Sequence, residues 1–162
     1  MTGTSYAIAI GSNRRHHRHG DPARVIAAAT AALAEFGEVH SVSATIATPA
    51  LGPAGRSFAN AALLLHTELT PPALLRRLKA LERSFGRRPG RRWGPRVLDL
   101  DIILWSEGSW SDGTLTIPHQ EFRSRAFVLR PLAEIAPRWR DPVTGRSVRH
   151  LAHAVDRRRP RA

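Results

Sequence analysis

Cysteine is absent from this chain, which excludes both a disulfide framework and a thiolate-ligated metal site and fits a reducing compartment. Long apolar runs are absent too. Nothing approaches the length of a bilayer span, and the N-terminal residues lack the basic start and apolar stretch of a secretory signal. The expectation is a soluble, cytoplasmic protein without a membrane partner. Lysine is nearly missing: Lys79 is the only one, and arginine supplies the rest of the basic side of a formal charge of +12. Arginine forks match phosphate oxygens bidentately. The balance therefore points to a polyanion, either a nucleic acid or the phosphates of a nucleotide, or else to arginines that decorate a solvated surface. Two common phosphate cradles are also missing. No G-x-x-x-x-G-K-[ST] occurs, "LGPAGRS" having neither its spacing nor its lysine, and no G-x-G-x-x-G opens a helix after the first strand.

What is present reads as one domain over residues 1–162, without internal repeats and with a frayed basic tail over about residues 156–162. The apolar run Tyr6–Ile10, ended by Gly11, has the length of a buried strand. Asp21 followed by Pro22 marks a helix start, and the alanine-rich stretch carries that helix to Phe36, with Gly37 closing it. Residues 38–47 alternate and contain Val, Thr and Ile, as a strand does. The breaker-rich "TPALGPAGRS" is a loop. Phe58–Thr67 reads as a strand, though a buried helix would satisfy the same run. Thr70, Pro71 and Pro72 open a second helix, on which Leu74, Leu75, Leu78, Leu81 and Phe85 recur at helical spacing until Gly86. Val97–Trp105 is the clearest strand, followed by a short strand at 114–117 and a helix near 126–136. The order through Trp105 is strand, helix, strand, strand, helix, strand. This predicts an α+β fold with a ferredoxin-like βαββαβ core: a largely antiparallel sheet with helices on one face, and the remaining third of the chain as a C-terminal extension.

The chemistry gathers in "RWGPRVLDLDIILW". Strict alternation places Leu98, Leu100, Ile102 and Leu104 on one face of the strand and Asp99 and Asp101 on the other. Two ionised carboxylates about 7 Å apart on one strand repel unless a cation lies beside them. Oxygen donors select hard ions such as magnesium, and two of them would clamp a polyphosphate while activating an attacking hydroxyl. The plainer alternative is a pair of aspartates on a solvated face or paired with neighbouring arginines. Trp93, Gly94, Pro95 and Arg96 form a stiff basic entry to the strand, and Arg87, Arg88, Arg91 and Arg92 stand upstream among glycine and proline. Arginines beside a magnesium site suit the charge that develops in phosphoryl transfer.

In "RWGPRVLDLDIIL", "IPHQEFRSRAFVLRPLAEIAP", "AIAIGSN" and the pair "TPALGP" with "FANAA", the chain resembles the 6-hydroxymethyl-7,8-dihydropterin pyrophosphokinases of folate biosynthesis, in order over about residues 5–137. The resemblance implies transfer of pyrophosphate from ATP to the pterin's hydroxymethyl oxygen, with release of AMP. It implies that Asp99 and Asp101 hold two magnesium ions, that Arg87, Arg96 and Asp101 serve catalysis, and that ATP is bound by Arg87, Arg96, Ile102, Thr116, His119 and Arg125. The pterin slot would comprise Thr48, Pro49, Leu51, Phe58, Asn60 and Phe127, with Trp93 folding over it. Aromatic faces suit a flat heterocycle, and an amide such as Asn60 both donates to and accepts from its edge. The implied partners are these small molecules alone, with no specific nucleic acid, acting on a monomer.

The chain departs from the family pattern in three places. Arg14 and the long basic "RRHHRHG" replace a leucine and short linker after "GSN", a lid arginine falls on Pro89 with Arg88 and Arg91 nearby, and an arginine before the histidine falls on Thr114. Two other readings stay open from residues alone. One is a basic ferredoxin-like module that binds nucleic acid, which explains the charge but not the acidic pair and lacks the aromatic signature of RNA readers on this topology. The other is a catalytically impaired paralogue that binds pterin or ATP without turnover.

Overall fold

The computed structural model describes residues 3–13, 19–48, 58–86 and 97–158. Its helices begin where local chemistry starts them. The Asp21 carboxylate accepts the Arg24 N–H at 3.1 Å ahead of Pro22, and α1 runs Pro22–Leu33. The Thr70 hydroxyl accepts the Ala73 N–H at 3.4 Å ahead of two prolines, and α2 runs Pro71–Ser84, with Gly86 following at φ +105°. Helix α1 stops three residues short of the expected Phe36. The chain leaves it through the turn bonds Glu35 N–H to Ala32 and Phe36 N–H to Leu33. Gly37 answers to packing as well as to helix termination, because a Cβ there would lie 2.2 Å from the His66 carbonyl oxygen.

Strand β1 spans Thr4–Ser12, two residues beyond the apolar run at each end. The single strand expected over 38–47 is divided into β2, Glu38–Val42, and β3, Ile46–Thr48. Buried Ser43 breaks it: its hydroxyl accepts the Ala62 N–H at 2.8 Å, while the next N–H, of Ala44, turns to the Glu134 carboxylate at 3.1 Å. Strand β4, Phe58–Thr67, has the expected bounds, and β5, Asp99–Trp105, starts two residues later than expected. A hairpin of β6, Trp110–Ser111, and β7, Thr116–Ile117, follows, with β7 beside β5. The main sheet has the order β2–β4–β1–β5, with β3 also paired to β4, and every pairing is antiparallel.

Both sheet faces are covered. On one, Val25, Ile26, Ala29 and Leu33 of α1 and Leu74 and Leu78 of α2 pack on Tyr6, Ile8, Ile10, Leu63, Leu65, Leu100 and Ile102. The other is covered by the C-terminal third, so helices lie on two faces rather than the expected one. Helix α3, Ala126–Ile135, brings Val128, Leu129 and Leu132, and helix α4, Val148–Arg158, brings Val148, Leu151, Ala152 and Val155, onto Ala7, Ala62, Ile103 and Leu104. Helix α4 takes in residues expected in the frayed tail: Asp156 is helical and bonds Arg130 at 2.7 Å. Leu104 is also corrected. Ile103 is an extra residue opposite the Ala7/Ile8 step, a bulge that turns Leu104 from the first core to the second. Among the described residues, no helix is long and apolar enough to cross a membrane.

Asp141 anchors the turn between α3 and α4. Its sealed carboxylate accepts Arg123 Nε at 2.5 Å, an Arg123 terminal nitrogen at 2.8 Å, Val143 N–H at 3.0 Å and the Thr144 hydroxyl at 2.7 Å. Burial pushes this carboxyl up, but the bonds from Arg123, Thr144 and Val143 outweigh it and leave the pKa at about 2. A carboxyl depressed from an unfolded value of about 3.9 contributes about 2 kcal/mol of stability above that pH, lost as the pH falls through the folded value. The thermal midpoints of wild type and Asp141→Asn should therefore converge between about pH 4 and pH 2. A constant gap across an acid titration of both would contradict this.

Candidate active site

The site is built on the sheet face shared with α3 and α4, at the end those helices leave open. Asn60 on β4 and Asp99 on β5 both pair with Gly11 of β1, and one step along, Ala62 and Asp101 both pair with Ala9. Residues paired across neighbouring strands share a face. Asn60 and Asp99 thus flank Gly11 from two strands apart, about 10 Å between backbones, over a floor of Gly11, Ala9 and Ala62. The floor is tight: a Cβ on Gly11 would lie 3.2 Å from Asn60 Oδ1. The result is a shallow slot with an amide on one wall and two carboxylates on the other. Phe58 continues the Asn60 row and is 44% exposed, Phe127 opens α3 and is 50% exposed, whereas Phe122 of the core is sealed. Exposed aromatics at the mouth of a slot offer stacking faces.

Beside the slot, β5 is the sheet's edge, and a cavity of about 490 Å³ lies along it. Asp101, Ile102, Thr116, His119 and Arg125 all line it, as do Leu75 and Lys79 of α2. Ile102 brings its backbone. Its side chain is buried in the first core, and the Leu100 N–H points outward to Glu82 at 2.8 Å, so ladder alternation turns the Ile102 N–H and C=O outward as well. His119 is held by its own N–H on the Ile103 carbonyl at 3.0 Å, and its Nδ1 accepts the Glu121 N–H at 3.1 Å. That bond leaves Nε2 as the protonated, donating nitrogen. Arg125 pairs with Glu121, and its guanidinium lies 5.7 Å from the Phe127 ring centre, which joins the nucleotide-sized cavity to the aromatic mouth of the slot.

Burial pushes the Asp101 carboxyl above its usual range, and the charge of Asp99 adds to the rise, while His119, Arg125 and Lys79 pull it back. Among the described residues, no three His, Asp or Glu side chains converge on one metal position. Magnesium does not need such a cage: it is held by one or two carboxylates, with water and substrate phosphate completing six oxygens. The donors present fit that ion.

The structure therefore brings together Asp101, Ile102, Thr116, His119 and Arg125 at the cavity, with Asp99 two residues before Asp101 on the same strand, and Asn60, Phe58 and Phe127 at the slot. The backbone of Thr48 pairs with Phe58, at the same mouth. Arg87, Arg96, Pro49, Leu51 and Trp93, with Arg14, Arg88, Pro89 and Arg91, lie outside the described residues. Thr114 is described and serves the hairpin, its N–H and hydroxyl donating to Asp112. Lys79 escapes a reading by motif because its signal is compositional: the chain's one lysine, a helical turn beyond Leu75, on the face that meets β5. Its side chain is 48% exposed and 3.6 Å from buried Glu82.

An acidic pair on an edge strand, between a shallow slot and a cavity lined by charges of both signs, is an arrangement suited to phosphoryl-transfer chemistry. The chain belongs to the 7,8-dihydro-6-hydroxymethylpterin-pyrophosphokinase family, whose model matches residues 7–137. It is 43% identical over 119 residues to a 2-amino-4-hydroxy-6-hydroxymethyldihydropteridine pyrophosphokinase of Synechocystis, covering 74% of this chain and 61% of that protein. It is 43% identical over 133 residues to the enzyme of that name from Methylorubrum extorquens, covering 80% and 81%, and 41% identical over 138 residues to the one from Pseudomonas aeruginosa, covering 83% and 82%. Solved structures share the fold at low identity. An HPPK-DHPS in complex with substrates superposes with a TM-score of 0.74 at 10% identity, over 95% of this chain and 45% of that one. A Plasmodium falciparum HPPK-DHPS with pterin and p-hydrobenzoate gives 0.68 at 13%, over 94% and 44%. The chain thus spans less than two thirds of the Synechocystis relative and less than half of these solved chains.

Proposed function

We propose that this chain transfers pyrophosphate from ATP to the hydroxymethyl oxygen of 6-hydroxymethyl-7,8-dihydropterin, giving the pterin diphosphate and AMP, in folate biosynthesis. The observation that carries the reading is the position of Asp99 and Asp101, on one face of an edge strand with the slot on one side and the cavity on the other. Release of AMP requires attack at the β-phosphorus. The pterin C–O–H oxygen forms a bond to that phosphorus, the bond to the AMP oxygen breaks, and the hydroxyl proton leaves to the surroundings. In this reading Asn60 pairs with the amide-like edge of the pterin while Phe58 and Phe127 hold its faces, aiming the hydroxymethyl arm toward β5. The outward N–H and C=O of Ile102 meet the edge of the adenine, His119 donates from Nε2, and Arg125 and Lys79 offset phosphate charge. Asp99 and Asp101 would hold two magnesium ions, which when bound polarise the β-phosphate and lower the hydroxyl's pKa. Arg87 and Arg96 are proposed as phosphate ligands, and Thr48, Pro49, Leu51 and Trp93 as the rest of the pterin slot, on the strength of the motif.

The finer fold belongs to the same proposal. The order β2–β4–β1–β5 with antiparallel neighbours supports a ferredoxin-like core, with β2 and β3 as one interrupted strand and α3 and α4 as the C-terminal extension. A single domain acting as a monomer in the cytoplasm, with ATP as co-substrate, completes the reading. Incubation with ATP and magnesium should release AMP only when hydroxymethyldihydropterin is added. A folded sample that binds both substrates yet forms no AMP would contradict turnover, and one that binds neither would contradict the whole reading. Lys79→Gln should raise the KM for ATP about three- to tenfold and leave that for the pterin unchanged, the modest size following from half-exposure of the ammonium.

A further inference from the structure

We propose that Asp141, which touches neither the slot nor the cavity, is a positioning residue for the nucleotide arm: through Arg123 it fixes the turn that presents His119 and Arg125. The inference rests on the nucleotide reading of the cavity. Arg123 lies in a single 3-10 turn, Phe122–Ser124, between the two cavity residues. On one side, Phe122 N–H bonds the His119 carbonyl at 3.4 Å, and on the other Arg125 N–H bonds the Phe122 carbonyl at 3.3 Å. Five residues of backbone thus tie His119 to Arg125. A turn this short has little rigidity of its own, and the bond lengths show that these are weak ties.

Rigidity comes from outside. The Arg123 guanidinium lies 4.8 Å from the ring centre of sealed Phe122 and forks onto both oxygens of Asp141, at 2.5 and 2.8 Å. A bidentate fork fixes direction as well as distance. Asp141 cannot follow a moving partner, because its oxygens also accept Val143 N–H and the Thr144 hydroxyl. Its backbone is locked as well, its N–H on the Arg146 carbonyl at 2.9 Å and its carbonyl accepting Gly145 N–H at 2.8 Å. The anchor belongs to the turn that joins α3 to α4. Among the described residues, the Arg125 guanidinium by contrast pairs with the exposed Glu121 four residues back and lies 5.7 Å from the Phe127 ring centre, with no tie of its own to the anchored turn. The fork is the side-chain tie that sets the course of the turn ahead of Arg125, whose own carbonyl starts α3 by accepting the Val128 and Leu129 N–H groups at 3.0 Å.

The test uses the full chain and measures KM for ATP, KM for the pterin, kcat and thermal midpoint for Asp141→Asn, with Val155→Ala as a control that loosens α4 away from the cavity. The expected result is an ATP KM raised about tenfold or more, with the pterin KM within about twofold of wild type, since small misplacements of a binding group are costly. Arg123→Lys, which keeps the charge but not the fork, should fall between, and it decides the matter if Asp141→Asn does not fold. Val155→Ala should lower the midpoint and leave the ATP KM alone. Equal ATP KM in wild type and in the folded Asp141 or Arg123 variant would overturn the inference, as would a rise in Val155→Ala matching theirs. Failure of wild type itself to bind a non-hydrolysable ATP analogue would instead contradict the nucleotide reading of the cavity.

Discussion

Asp101→Asn should lose turnover by roughly a thousandfold or more, equivalent to about 4 kcal/mol of transition-state stabilisation, while the metal-free protein becomes no less stable. The two halves of this expectation have one cause. Asp101 is partly buried and faces Asp99 from two residues along the same strand, and burial first and the neighbouring charge second disfavour its ionised form. A carboxyl with a raised folded-state pKa adds stability at low pH that is lost as the pH rises through that pKa, so at neutral pH the ionised Asp101 is a load on the fold. Asparagine has nearly the same shape and removes it. A structural carboxylate behaves the opposite way, as Asp141 does: sealed, with four donors and a depressed pKa. Asp99→Asn should lose turnover in the same way. Thermal melts with and without magnesium and ATP check both halves. Wild type should gain stability from the combination, and the variants should not. Marked destabilisation of the metal-free variants would recast the pair as structural.

Gly11→Val should abolish pterin binding, by about a hundredfold or more, and leave nucleotide binding intact. Gly11 lies between Asn60 and Asp99 in the middle of the sheet, where its backbone is extended and strand-compatible, so a β-branched residue is acceptable to the strand itself. What it fills is the slot. Even a Cβ would sit 3.2 Å from Asn60 Oδ1, and the valine methyls would reach above it, into the space where a flat ring would lie over the floor. The cavity is lined by β5, α2 and the segment from the β6–β7 hairpin to Arg125, with no contribution from Gly11. Calorimetric titration with each substrate separately should show the split. Unchanged pterin affinity would remove the slot from this face of the sheet.

The acidic strand was legible because its two periods agree: aspartates alternate with apolar residues, and only one residue departs from alternation. That residue, Ile103, is an insertion relative to β1, a property of the pairing that a single strand's sequence does not carry. The same holds for the break between β2 and β3. Ser43 and Ala44 look like ordinary strand residues, and what divides the strand is a bond to Ala62 and a carboxylate 90 residues away. Helix α4, by contrast, could have been read: Val148, Leu151, Ala152 and Val155 recur at helical spacing, and the Ser147 hydroxyl accepts the His150 N–H at 3.1 Å as a cap. Its charged residues masked the period. Of the residues that line the slot and the cavity, those inside motifs were legible in the sequence, while Lys79 was not, nor was Asp141 behind them. Lys79 reaches the cavity from a helix whose apolar stripe explains it without any ligand, and Asp141 acts at a distance, through an arginine.

In the proposed reaction Asp99 and Asp101 face a shared cluster of cations between ATP and the pterin hydroxyl. The most direct measurement is a crystal structure with manganese in place of magnesium, a non-hydrolysable ATP analogue and hydroxymethyldihydropterin. Anomalous peaks are expected within coordination distance of both carboxylates, with analogue phosphates on one side and the pterin arm on the other, over Gly11. Both substrates bound with the two carboxylates paired only to arginines, and no anomalous density beside them, would contradict that reading.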